Sequence, residues 1–122
     1  MSGDAGTIFA ISSGAGPAGI AVIRLSGPDA IETVISFTGL TDMPPRKATR
    51  VTVTDPESGE TLDDGLVLVF PQPKSFTGED VAELHVHGSR AVLDDVMTAL
   101  SRQPALRPAE AGEFSRRAFD NG

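Results

Sequence analysis

Apolar residues come in short runs separated by glycine and proline, and the period of each run predicts an element. Thr7-Ile8-Phe9-Ala10-Ile11 and Ile20-Ala21-Val22-Ile23-Arg24-Leu25 read as strands, the second apolar enough to be covered on both faces. Gly27-Pro28 then opens a helix, with Pro28 in its first turn. Ile31, Val34 and Ile35 follow helical spacing, Asp29 and Glu32 suit the first turn, and Gly39 is the stop.

Arg50 to Thr54 alternates strictly, as a half-exposed strand does, and Leu66 to Phe70 is a second, buried strand. The turn residues Asp55 to Gly59 lie between them and predict a hairpin. After a Pro71–Gly78 loop, Val81 to His87 puts Ala82, Leu84 and Val86 on one strand face and Glu83, His85 and His87 on the other. Ser89 is the predicted N-cap of a helix lined by Leu93, Val96, Met97 and Leu100 and stopped by Pro104. A last short helix runs through Phe114 to Phe119. The order β-β-α-β-β-β-α-α lacks strict βαβ repetition and predicts an α+β fold, a mixed sheet with helices packed on it.

The length, 122 residues, suits one domain with a core of its own. No apolar run has the ~18–20 residues of a membrane helix, and Met1 to Gly6 lacks the features of a secretory leader. The absence of cysteine excludes disulfides, thiol nucleophiles and cysteine-bound zinc, and suits a cytoplasmic protein. Net charge −7 argues against tight binding of tRNA or other nucleic acid by this segment, whose basic cluster is only Arg107, Arg116 and Arg117.

Three features carry candidate chemistry. Gly14-Ala15-Gly16-Pro17-Ala18-Gly19 matches G-x-G-x-x-G, but a strand follows where a dinucleotide site needs a helix, and Pro17 removes an amide. The reading is a Gly-rich turn. Glu83, His85 and His87 share one strand face. Alternate histidines can chelate a metal, yet no third ligand is evident; a carboxylate flanked by imidazoles can instead hold a planar N–H/NH₂ edge by two parallel hydrogen bonds. A solvated polar face is the plainer alternative. Arg24, inside an apolar strand, either reaches solvent at the strand end or anchors an anion or carbonyl.

Three stretches together resemble one family: Gly19 to Gly27, Ser75 to Glu83 with His87-Gly88, and Gly112-Glu113-Phe114-Ser115-Arg116-Arg117-Ala118-Phe119. They are similar to the N-terminal domain of the bacterial tRNA modification GTPases, MnmE or TrmE. The resemblance runs from Thr7 to Asn121, with His87-Gly88-Ser89 and Ala111-Gly112 departing from the usual His-Gly-Gly and Pro-Gly.

It implies that residues 1–122 form a folate-binding and homodimerising domain, similar to the folate-binding part of glycine-cleavage aminomethyltransferases. Arg24 and Glu83 take the family's folate-contacting positions, for a reduced folate such as 5-formyl-tetrahydrofolate or 5,10-methylene-tetrahydrofolate. The donor's one-carbon unit serves wobble-uridine modification with an FAD-dependent partner, MnmG (GidA). The family's next lysine, helical domain, GTPase domain with GTP, Mg and K, and C-terminal cysteine would follow Gly122, and no G-x-x-x-x-G-K-S/T loop occurs. The expectation is therefore an N-terminal fragment with no catalytic residues of its own and no metal site. A dimerisation module with negligible folate affinity is the alternative.

Overall fold

The computed structural model describes residues 6–12 and 19–122. In chain order the elements are β1 (Thr7–Ile11), β2 (Ile20–Ser26), α1 (Ala30–Thr38), β3 (Thr49–Thr54), β4 (Thr61–Phe70), β5 (Val81–His87), α2 (Arg90–Ser101), β6 (Leu106–Pro108) and α3 (Glu113–Asp120). The strands form one six-stranded sheet in the order β3-β4-β5-β2-β1-β6. β6 lies parallel to β1 and the other neighbours are antiparallel. The mixed sheet and three helices make an α+β domain, as the element order predicts.

Period-2 alternation decides which face is covered. Ala21, Ile23 and Leu25 of β2, Ala82, Leu84 and Val86 of β5, and Val67 and Val69 of β4 turn to one side. There they meet Ala30, Val34 and Phe37 of α1 and Leu93, Val96 and Leu100 of α2 in one apolar core. Gly39 ends α1 in the left-handed region, at φ 72°, and the Ser89 hydroxyl accepts from the Val92 N–H at the start of α2. Among the described residues, no helix is long and apolar enough to cross a membrane.

Four boundaries differ from the sequence reading. β2 is covered on one face only: Val22 and Arg24 are half-buried and Ile20 is exposed. α1 starts at Ala30, because Gly27 and Pro28 form the preceding turn, closed by the Ala30 N–H on the Gly27 carbonyl. β4 begins at Thr61, so the acidic stretch Leu62-Asp63-Asp64 is strand and pairs with β3. β6 is an additional short edge strand between Pro104 and α3. Of the Gly14–Gly19 turn only Gly19 is among the described residues; the element after it is strand β2, not a helix.

Candidate functional site

The second face of the sheet carries the unusual residues. β2 and β5 pair so that Arg24 stands opposite Glu83, with Val22 opposite His85. Arg24 donates from Nε at 3.0 Å and from Nη2 at 2.8 Å, both to Oε2 of Glu83. His85, two residues along β5, donates from Nε2 to the other oxygen, Oε1, at 2.9 Å. The three side chains are 27%, 12% and 25% exposed, so the array is half-buried yet open to a ligand. Arg24 is thus in mid-strand and anchored on an anion of this chain.

Burial lifts the Glu83 carboxyl, and the hydrogen bonds from His85 and Arg24 outweigh it, holding the group below its ordinary value of 4.5. Glu83 is therefore a carboxylate at neutral pH. Oε1 keeps one lone pair beyond the His85 contact, while both lone pairs of Oε2 are taken by Arg24. A groove of about 170 Å³, walled by Ile20, Leu66, His85 and His87, adjoins the array.

His87 takes no part in it. Its ring Nδ1 lies 3.0 Å from both oxygens of Asp63, and its backbone N–H donates to Oδ2 of the same residue at 2.8 Å. The two imidazoles of this strand thus serve different carboxylates. Among the described residues, no group of three or more Asp, Glu or His is arranged to hold a metal ion.

The basic cluster near the C-terminal end becomes something else in three dimensions. Arg107 and Arg117 converge on Glu113, whose side chain is fully buried, and Arg116 lies 3.7 Å from it. Hydrogen bonds from Arg107 oppose the cost of burial and, with the Glu110 N–H, hold Glu113 down to about 2. Arg117 also reaches Glu79 and the Gly6 carbonyl. Sequence reasoning missed this network. The available signal was the i,i+4 spacing of Glu113 and Arg117.

It also passed over Phe76. The Arg24 guanidinium carbon lies 5.6 Å from the centre of the Phe76 ring, within cation–π range, although that ring is 57% exposed.

Residues 7–122 match the family model described as the GTP-binding protein TrmE N-terminus. The chain belongs to this family. Over 116 residues, 95% of the chain, it is 57% identical to the tRNA modification GTPase MnmE of Zymomonas mobilis. Over 121 residues, 98% of the chain, it is 56% identical to the human mitochondrial 5-taurinomethyluridine tRNA synthase subunit GTPB3. An MnmE from Rhizobium meliloti is 55% identical over 95% of the chain. These alignments cover 27%, 25% and 26% of the relatives, so the chain spans about a quarter of their length. The match to the TrmE N-terminal family takes in β1 to α3, including Arg24, Phe76, Glu83 and Glu113.

Proposed function

We propose that this chain is the folate-binding and homodimerising N-terminal domain of a tRNA modification GTPase, and that Arg24 and Glu83 hold the pterin end of a reduced folate. The observation that carries the reading is the Arg24–Glu83–His85 array, a fixed carboxylate on a half-open sheet face. The amino-pyrimidinone edge of a pterin presents two parallel N–H donors. An ionised Glu83 accepts one of them on the remaining lone pair of Oε1 and the other on Oε2 once an Arg24 N–H turns from that oxygen to the ligand.

Arg24 uses Nε and Nη2 on Glu83 and keeps further donors for a carbonyl or carboxylate of the same ligand. Leu66 and Ile20, beside His85, offer an apolar surface for the rest of it. In this reading the fold is that of the folate-binding part of aminomethyltransferases, and the folate is the one-carbon donor for wobble-uridine modification. The relatives named above are tRNA-modifying proteins, two of them GTPases, about four times the length of this chain. GTP with Mg and K, contact with tRNA and the flavoprotein partner MnmG (GidA) are accordingly assigned to the parts of such a protein outside this domain.

A pure assembly module is the second reading. It is favoured by Ile11 and Ile20, 40% and 61% exposed at neighbouring strand ends. Titration calorimetry of 5-formyl-tetrahydrofolate into the chain and into Glu83→Gln, with light scattering for mass, separates the two. The folate reading expects a dimer that binds, and a variant weakened by about 1–3 kcal/mol, the cost of one unsatisfied buried polar contact. A dimer without binding leaves the assembly module. A monomer without binding overturns both.

A further inference from the structure

Phe76 is the one large apolar side chain exposed beside the Arg24–Glu83 pair, among the described residues, and the loop that carries it is tied down on both sides. Its neighbour Thr77 is fully buried, and the Thr77 and Ser26 hydroxyls lie 2.6 Å apart. Ser26 donates to Glu79 at 2.7 Å, so it accepts from Thr77, and both loop residues are pinned to the end of β2. From the other side, Asn121 donates to the Thr77 carbonyl at 2.9 Å and Arg117 to Glu79 at 3.1 Å. Gly78, at φ +82°, packs so closely that a Cβ there would lie 2.8 Å from Cβ of Asn121. The Ser75 hydroxyl donates to the Glu79 carbonyl, and the Gln72 N–H to Asp80 at 2.8 Å.

A loop held this firmly has the means to bury an aromatic ring. Instead it presents Phe76 to solvent, over the guanidinium that flanks the carboxylate. One part of the ring covers Arg24 and the rest is free to cover something planar beside it. From this we infer that Phe76 is the stacking wall of the site: a flat amino-pyrimidinone ring, held at its edge by Glu83, lies against the Phe76 face next to the Arg24 guanidinium. The inference rests on the reading of the site given above and adds to it a specificity-determining residue. Glu83 selects the hydrogen-bonding edge and Phe76 selects planarity. The Thr77–Asn121 and Glu79–Arg117 contacts make α3 the element that sets the height of the wall above the sheet.

The chain has no Trp and no Tyr, so a tryptophan at this position is a reporter without background. The experiment titrates 5-formyl-tetrahydrofolate into Phe76→Trp and follows its emission. Phe119→Trp, on an 85% exposed residue of α3, corrects for absorption by the ligand. Calorimetry of the native chain, Phe76→Ala and Phe76→Tyr runs alongside. The inference expects saturable quenching at position 76 and none at 119. It expects Phe76→Ala to bind roughly 5- to 100-fold more weakly, the usual span for losing one stacked ring, and Phe76→Tyr to stay within about twofold of native.

If the native chain binds but Phe76→Trp responds no more than Phe119→Trp and Phe76→Ala binds within about twofold of native, the stacking role is overturned and the Glu83 reading stands. Absence of binding to the native chain removes both. Should the tryptophan hinder folding, the calorimetric comparison of native and Phe76→Ala decides alone.

Discussion

Glu113 and Arg107 meet through two parallel hydrogen bonds, 2.9 Å to Oε1 and 2.5 Å to Oε2, with the glutamate fully buried and the arginine 35% exposed. Arg117, 7% exposed, adds a third at 3.0 Å, and the Glu110 N–H a fourth at 3.0 Å. One carboxylate thus fastens α3 to β6 and, through Arg117 and Glu79, to the loop that carries Phe76. Glu113→Gln keeps the shape but leaves two arginines facing an uncharged amide. Removing one partner of a buried pair costs about 3–5 kcal/mol, and the amide's retained oxygen places this variant near 3. Urea unfolding measures it; a loss below about 1 kcal/mol would mean that Glu113 is not what fixes α3.

The same carboxylate sets the acid limit of the fold. Glu113 is held down to about 2 from an ordinary 4.5, and Glu83 is also lowered from 4.5. For a group whose pKa is depressed on folding, the stabilisation is complete above the unfolded value and disappears as pH falls through the folded one. Native stability should therefore decline between about pH 4.5 and 2. Asp55, lowered chiefly by the Glu57 N–H, acts with the same sign. In Glu113→Gln, thermal melts across this window should show a shallower decline than in the native chain. Parallel slopes would place the acid sensitivity in other carboxyls.

Strand alternation and the Gly/Pro punctuation made most of the fold legible from sequence, because β3, β5, α1 and α2 each bury one face on the same core. What escaped is what periodicity does not carry. β6 is three residues long, Leu106-Arg107-Pro108, and its strand character comes from pairing with β1 at an edge. The first half of β4 contains Asp63 and Asp64, turn-like in sequence, but Asp63 caps the end of β5 by accepting the His87 N–H. At the site, Arg24 and Glu83 each stood out as odd residues on apolar strands. Their mutual contact spans 59 residues and follows only from β2–β5 register. The arginines of the last segment read as a positive patch because the glutamate on which they converge is inside the protein.

The Arg24–Glu83 pair differs from the Glu113 network in being open, which predicts a different response to mutation. Arg24→Gln should cost little stability, about 1 kcal/mol or less, as partly exposed pairs do. Its larger effect is electrostatic. Burial already pushes Glu83 upward, and with Arg24 gone only His85 opposes it among the major contributions, so the carboxyl should titrate higher than in the native chain. Carboxyl carbon NMR of Glu83 across an acid titration reads this directly. An unchanged midpoint would show that Arg24 does not govern the charge on the site.

Gly65 ties the sheet to the site by steric means alone. It lies in β4 one residue before Leu66, which pairs with His85, and a Cβ added to it would come within 2.1 Å of the His85 carbonyl oxygen. Backbone cannot yield there as the tip of a side chain can, so Gly65→Ala must part β4 from β5 at this point. We expect a loss of about 1–3 kcal/mol, as for overpacking elsewhere, and faster hydrogen exchange at the His85 and His87 amides. The consequence reaches Glu83, because His85 supplies the hydrogen bond to Oε1 and the strongest of the influences that hold the carboxyl down. Displacing His85 should raise the Glu83 midpoint together with the exchange rates. A destabilised variant whose Glu83 still titrates as in the native chain would show that His85 follows β5 rather than the β4–β5 contact.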